Sequence, residues 1–327
     1  MRRREFIGLV GGAATALPLV SHAQVSKRLY RIAYLALTPG EDLTQMKTFV
    51  QRLNELGYVE GKDITIDYRS AQGRSEQLSA LAGELVRSKP DVFVAGFGTL
   101  TAQAAKAATR EIPIVFTSVG DPLGAHLVQN LARPEGNLTG LASQSTETAA
   151  KRLQILKKLL PDRSTIAVLL NPGAPAPALA LKELRAAAET EGVRLEVLEI
   201  SAISEVPGRI EAGILAGAAG LLVIEDPLTI AARRQISDLC VQFRVPAVYG
   251  DREFVQAGGL VWYGADRRRL FRRAAELVDR LLKGAEPSGL PIEQPTKFEL
   301  MINVKAARLI GLDVPASLLA LADEVIE

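Results

Sequence analysis

Cysteine and histidine are almost absent from this chain of 327 residues, which contains one cysteine, Cys240, and two histidines, His22 and His126. A single cysteine excludes an intramolecular disulfide and a metal cluster built on cysteine ligands. Two histidines far apart in sequence argue against a histidine-rich metal site, so we expect neither a metal nor a cofactor. A catalytic site of the Ser-His-acid or Cys-His type has almost no imidazole to draw on.

Excess charge and nucleotide-binding motifs are lacking as well. Lys and Arg together number 39 against 37 for Asp and Glu, and this near balance predicts no affinity for nucleic acid or a membrane surface. The run Gly96-Phe97-Gly98 lacks the third glycine of a dinucleotide-binding loop, and neither a phosphate loop nor a GxSxG elbow occurs. These absences favour a binding protein over an enzyme.

The N-terminal segment has the features of an export signal. Three arginines at positions 2–4 precede an apolar stretch over 7–20, and Ser21-His22-Ala23 supplies small residues for cleavage after Ala23. The arginine pair before Glu5-Phe6-Ile7 resembles a twin-arginine signal, while a general secretory signal with extra arginines is the alternative. We expect a mature protein in the periplasm, and no further stretch is apolar enough to predict a membrane span.

From Arg31 onward, short β-rich runs alternate with helical patterns, which is typical of parallel sheets with crossover helices. In the first half, strands are predicted over 31–37, 63–69, 91–95 and 113–118, with helices over 41–56, 75–88, 100–109 and from 122 to about 131. The second half repeats the strands over 165–170, 194–200, 221–225 and 246–249. A nearly constant offset with the same order of elements predicts two α/β lobes of one topology.

The lobe boundaries follow from this repeat and from the tail that comes after it. We expect the first lobe to contain residues 29–142 plus about 262–290, and the second lobe to contain 143–261 plus about 291–327. The fold class is therefore α/β, with two Rossmann-like lobes that carry parallel sheets and are joined by a hinge.

Candidate ligand-binding residues are those that follow predicted strands, because ligands of open parallel sheets bind beyond the carboxyl ends of the strands. Three of them are Asx residues followed by proline, a pairing that helix capping alone also explains. The same alternative applies to the threonine at the start of the helix after Gly96-Phe97-Gly98. The candidates are Thr38, Gly98, Thr99, Ser118, Asp121, Asn171, Asp226 and Asp251.

Several long stretches resemble one family, the ABC transporter substrate-binding proteins of the tryptophan/tyrosine type. They include LNELGYVEGKDITIDYRSAQG (53–73), KPDVFVAGFGTLTAQAAKAAT (89–109), IPIVFTSVGDPLGAHLVQNLARPEGNLTG (112–140), VPAVYGDREFVQAGGLVWYGAD (245–266) and the ending over 291–327. The resemblance runs from Leu29 to Glu327. It implies a type I periplasmic binding fold, a small-molecule ligand such as an amino acid or related carboxylate, an ABC permease and ATPase as partners, and a monomeric receptor.

The resemblance also implies roles for some candidates. Amino-acid binders of this fold hold the ligand carboxylate at the ends of the third and fourth strands of the first lobe, which correspond here to Thr99 and Ser118. They hold the ammonium with an acid of the second lobe, for which Asp226 and Asp251 are the matching positions. The alternative is an exported two-lobed enzyme, such as a racemase or a sugar-processing protein. A sugar-responsive transcription regulator would need a helix-turn-helix where this chain has its signal.

Overall fold

The structure is a computed structural model that describes residues 28–160 and 165–327. The predicted signal segment and its cleavage site therefore lie outside the described residues. Within the described ranges, no helix combines the length and apolar character needed to cross a membrane.

The first lobe is built on a five-stranded, wholly parallel sheet. Its strands are Tyr30–Ala36 (β1), Ile64–Ser70 (β2), Val92–Ala95 (β3), Ile114–Val119 (β4) and Leu138–Ala142 (β5), in the spatial order β2-β1-β3-β4-β5. Its helices are Pro39–Glu55 (α1), Leu78–Arg87 (α2) and Thr99–Ala108 (α3). Strands β3, β4 and β5 are buried along their whole length, as expected for a parallel sheet covered on both faces.

The second lobe is built on a seven-stranded sheet. Its strands are Thr165–Leu170 (β6), Arg194–Glu199 (β7), Gly220–Val223 (β8), Ala247–Tyr249 (β9), Val261–Gly264 (β10), Glu299–Asn303 (β11) and Glu324–Ile326 (β12), in the order β12-β11-β10-β9-β8-β6-β7. Only the β10–β11 pair is antiparallel. The remaining helices are Ser145–Leu159 (α4), Pro175–Glu191 (α5), Val206–Leu215 (α6), Pro227–Ala231 (α7), Arg233–Gln242 (α8), Arg252–Gln256 (α9), Arg267–Leu282 (α10), Val304–Ile310 (α11) and Ala316–Leu319 (α12).

The chain passes between the two lobes three times. It crosses after β5, again after β10, and a third time between α10 and β11. Helix α10 packs against α1 and against β3, β4 and β5 of the first sheet, while α4 packs against α5 and strands of the second. The returning segment pairs with β5, since the Ala142 N–H donates to the Glu293 carbonyl over 2.8 Å. These crossings form the hinge.

One predicted helix is wrong. Residues 122–131 form turns, because His126 adopts a left-handed φ of 54° that breaks an α-helix after its first turn. The Lys106 ammonium fixes this conformation by donating to the His126 and Leu127 carbonyls over 3.1 and 2.8 Å. Asp121 therefore closes a turn, with its Oδ1 accepting from the Leu123 and Gly124 N–H groups, and does not cap a helix.

Candidate functional site

A cavity lies between the lobes at the carboxyl ends of their parallel strands. This is where the topology of an open α/β sheet places a ligand. Both lobes and the hinge contribute to its wall. Its lining residues are Leu37, Phe97, Gly98, Thr99, Leu100, Ser118, Gly120, Ser143, Ser145, Ala174, Ala176, Pro177, Glu225, Asp226 and Pro227.

The first lobe presents uncharged hydrogen-bond donors to this cavity. Gly98 precedes α3 with φ of 100°, a conformation that favours glycine, and it offers the helix no side-chain cap. The first N–H groups of α3 therefore keep their hydrogen-bonding capacity at the cavity wall. Thr99 is 3% exposed, and its Oγ1 has no hydrogen-bond partner among the described residues. Ser118, at the end of β4, lines the cavity beside it.

A second helix end contributes donors that were not predicted from the sequence. Helix α4 begins at Ser145 directly after the first crossing, and Gln144 before it gives no side-chain cap. Ser143 and Ser145 both line the cavity. The buried Oγ1 of Thr146 has no partner among the described side chains and backbone groups. Because strand β5 was not predicted, the residues that follow it were not recognised as a strand end.

The second lobe presents carboxylates. Asp226 is 3% exposed and caps α7, with its Oδ1 accepting from the Thr229 N–H over 2.8 Å and the Thr229 hydroxyl accepting from the Asp226 N–H. Its Oδ2 accepts from the Asn171 amide over 2.7 Å. Burial raises the pKa of Asp226 above the ordinary aspartate value, against the opposing effect of these hydrogen bonds. Within the described residues, no cation pairs with this carboxylate.

The neighbouring Glu225 differs from Asp226 because an arginine side chain pairs with it. Arg152 of α4 donates to both Glu225 carboxylate oxygens over 2.6 and 2.8 Å, and both side chains are buried. The same guanidinium donates to the Tyr263 carbonyl and the Thr148 hydroxyl. Burial raises the pKa of Glu225, while Arg152 opposes that shift. The Glu225 charge is therefore compensated inside the protein. Sequence reasoning passed over this residue, although it precedes Asp226 at the same strand end.

Asp251 does not lie on the cavity wall. It caps α9 through the Glu253 N–H over 2.8 Å, and its Oδ2 lies 3.2 Å from Nε of Arg267. Arg267 in turn stacks on Phe97, with its guanidinium carbon 4.3 Å from the ring centroid. Asp251 therefore reaches the cavity only indirectly, since it pairs with Arg267 and Arg267 stacks on Phe97, which lines the wall.

Two further candidates lie at the mouth of the cleft. Thr38 is the N-cap residue of α1, without a side-chain cap, and Asn171 forms an Asx turn with the Gly173 N–H over 2.9 Å. Asn171 does not cap α5, whose N-cap residue is Ala174. Both residues line a second cavity that shares Leu37 and Leu100 with the first. Asn171 acts on the main cavity through its bond to Asp226.

The arrangement suits a small ligand that carries both charges. Uncharged donors at two helix ends can hold a carboxylate, and Asp226 can hold an ammonium. The apolar side chains of Leu37, Phe97 and Leu100 can pack against a hydrocarbon or aromatic group. Across the described residues, no histidine, cysteine, aspartate and glutamate side chains group together in a way that could hold a metal ion.

Known proteins with similar sequences include substrate-binding proteins. The family model described as ABC transporter substrate binding protein matches residues 36–326. A tyrosine-binding protein of Clostridioides difficile is 30% identical over 273 residues, which cover 83% of this chain and 77% of that protein.

Two solved structures share the fold. A conserved domain protein from Vibrio cholerae is 30% identical with a TM-score of 0.84, covering 91% of this chain and 100% of that one. An ABC domain from Streptococcus pneumonia, solved in complex with L-Trp, is 24% identical with a TM-score of 0.84 and the same coverage.

Proposed function

Because the chain belongs to the family of ABC transporter substrate-binding proteins, we propose that it captures an L-amino acid with an apolar or aromatic side chain between its lobes. The family resemblance and the two-lobed α/β fold predicted from the sequence are confirmed. The same matches favour a receptor over the exported enzyme that was the alternative.

The observation that carries the proposal is the difference between the acids of the second lobe. Glu225 is paired with Arg152, and Asp251 with Arg267, whereas Asp226 is held only by neutral donors. A buried carboxylate without a cation is costly, and an incoming ammonium offsets that cost. Asp226 is therefore our choice for the ammonium contact, and Asp251 is not.

The opposite wall supports a carboxylate contact. Thr99 and Ser118 belong to the first lobe, and the unpartnered Thr99 hydroxyl and the free N–H groups of α3 favour an anion there without any cationic side chain. With Gly98 they form the proposed carboxylate site. Of the other candidates, Thr38 and Asn171 are proposed to border the cleft. Asp121 is proposed to stabilise the turn that follows it and not to contact the ligand.

The apolar lining and one relative together favour an aromatic ligand. Phe97 forms part of the wall, and the relative that is 30% identical is named a tyrosine-binding protein. L-Tyrosine is accordingly the first ligand to test. We further propose that the protein acts as a monomer in the periplasm after cleavage at Ala23, and that it delivers its ligand to an ABC permease and ATPase.

Calorimetric titration of the chain without residues 1–23 tests the proposal. L-Tyrosine should bind, whereas tyramine, which lacks the carboxylate, and 3-(4-hydroxyphenyl)propionate, which lacks the ammonium, should each bind far more weakly. A ligand at about 100 times its Kd also adds about 2.7 kcal/mol of stability, so a thermal-shift screen of amino acids, sugars and nucleosides provides the wider control. Binding of a sugar or of an amine-free acid, with no amino acid bound, would refute the proposal.

A further inference from the structure

The two lobes come close together at Gly120, in the loop that follows β4. A Cβ placed on Gly120 would lie 2.6 Å from the Ser145 hydroxyl and 2.9 Å from the Cβ of Ala176. Both distances are shorter than real Cβ atoms show. Ala176 is the second residue of α5 in the second lobe, so the contact joins a first-lobe loop to the end of a second-lobe helix.

Gly120 differs from the two other glycines that face the second lobe. A Cβ added at Gly98 would lie 3.5 Å from the Pro227 ring, which is an ordinary contact, so the φ of 100° is what favours glycine there. A Cβ added at Gly124 would first meet the Asp121 carboxylate of its own loop and then the end of the Leu179 side chain, which can rotate away. Gly120 has no left-handed φ, so its backbone accepts any L-residue, but Ala176 Cβ cannot move without moving α5. Clearance between the lobes, not backbone conformation, therefore requires glycine at 120.

We propose that Gly120 determines how closely the two lobes approach over the ligand, and thereby how tightly the ligand is held. An added methyl group would hold α5 away from the β4 loop and reduce the fraction of molecules that reach the closed state. The apparent affinity falls in proportion to that fraction. This inference rests on the proposed function for its ligand, while the contact itself is independent of the ligand's identity.

The first test compares Gly120→Ala with the rescue variant Gly120→Ala/Ala176→Gly. We expect Gly120→Ala to weaken L-tyrosine binding by about tenfold or more, and the double variant to bind within about threefold of the parent. Ala176→Gly alone and Gly208→Ala are the controls. Gly208 is an exposed residue of α6, and nothing lies within 4 Å of an added Cβ there. It reports the general effect of a glycine-to-alanine change.

A second measurement follows closure without a ligand. Ser75 and Ser201 line the mouth of the cleft from opposite lobes, and both are exposed. Cysteines at these positions can be joined by a short thiol-specific cross-linker, and the rate reports how often the mouth closes. Cys240 does not interfere, because burial raises the pKa of its thiol to about 12. We expect slower cross-linking in Gly120→Ala and recovery in the double variant.

The outcomes separate the two proposals. If the parent protein does not bind L-tyrosine but Gly120→Ala slows cross-linking and Ala176→Gly restores it, the ligand assignment fails and the Gly120 inference stands. Unchanged affinity and cross-linking in Gly120→Ala would overturn the inference. So would a weakened Gly120→Ala that Ala176→Gly does not rescue, because displacement of the Ser145 hydroxyl would then explain the loss.

Discussion

The two lobes share a strand order but present opposite chemistry to the cleft. The order β2-β1-β3-β4-β5 of the first sheet corresponds to β7-β6-β8-β9-β10 of the second, which β11 and β12 then extend. The turn after β3 supplies Gly98 and Thr99, and the equivalent turn after β8 supplies Glu225 and Asp226. Topology thus determines where functional residues lie, while single residues determine whether that place attracts an anion or a cation.

The helices that follow these turns differ in the same way. Helix α7 is capped by its own Asp226 through a reciprocal pair of hydrogen bonds with Thr229. Helix α3 has no such cap, because Gly98 has no side chain. Since a cap takes up N–H groups that would otherwise bind an anion, α3 keeps more of them for a ligand than α7 does. A zwitterion should therefore bind in one orientation.

The largest expected effect is on stability, and it comes from removing Arg152, the cation that pairs with Glu225. Arg152→Met leaves Glu225 as a buried carboxylate without a partner, which should lower the free energy of unfolding by about 3–5 kcal/mol. Denaturant unfolding measures the change. The double variant Arg152→Met/Glu225→Gln removes both charges and should recover most of the loss. A single variant as stable as the parent would show that Glu225 does not depend on Arg152.

The next largest effect is expected from Asp226, whose negative charge has no cationic partner among the described residues. Asp226→Asn should weaken L-tyrosine binding by about 2–5 kcal/mol, because the ligand ammonium is then buried without an anion. Asparagine is a good N-cap residue, so the stability of the ligand-free protein should change little. Calorimetry measures the affinity, and binding of 3-(4-hydroxyphenyl)propionate, which has no ammonium, is the control. An equal loss for both ligands would contradict the assigned role.

Smaller effects are expected in the first lobe, where no formal charge is removed. Thr99→Val and Ser118→Ala should each weaken L-tyrosine binding by about 1–3 kcal/mol, since each leaves a charged carboxylate short of a hydrogen bond. Thr99→Ser keeps the hydroxyl and is the matched control, for which we expect nearly the parent affinity. Full affinity in both Thr99→Val and Ser118→Ala would place the carboxylate elsewhere, with Ser143 and Ser145 as the next residues to test.

Much of this fold could be predicted from the sequence, because buried parallel strands are short apolar runs separated by helical patterns. Strand β5 was missed because its sequence, LTGLA, is short and contains a glycine. The predicted helix over 122–131 failed because tertiary contacts from Lys106 stabilise a left-handed residue that no local pattern reveals.

The site was predictable to the extent that it depends on strand ends. Gly98, Thr99, Ser118 and Asp226 do line the cavity, although their contacts with a ligand stay predictions. Asp251 is absent from the cavity lining, and a strand end does not reveal that the buried Arg267, supplied by the hinge, pairs with it. The pairing of each acid with an arginine depends on contacts between residues that are distant in sequence, and local sequence patterns do not predict such contacts.

The smallest expected effect is a pH dependence that distinguishes the two walls. Burial raises the pKa of Asp226, so acidification protonates it before an ordinary exposed aspartate. A neutral Asp226 does not pair with an ammonium, so L-tyrosine affinity should fall as the pH falls through this raised pKa, by up to about tenfold per pH unit. The sign is opposite for the ligand-free protein, whose free energy of unfolding should fall as the pH rises through the same range, because folding then buries a charge.

In Asp226→Asn the contribution of Asp226 to the slope of L-tyrosine affinity against pH should disappear. Any slope that is left would report Glu225, which keeps its partner Arg152. Thr99→Val should bind more weakly than the parent at every pH but with the parent slope, because a hydroxyl does not titrate in this range. Calorimetric titrations of the three proteins over a pH series provide the measurement. Equal slopes in the parent and Asp226→Asn would mean that Asp226 does not carry the ammonium, and that the two lobes do not divide the charges of the ligand between them.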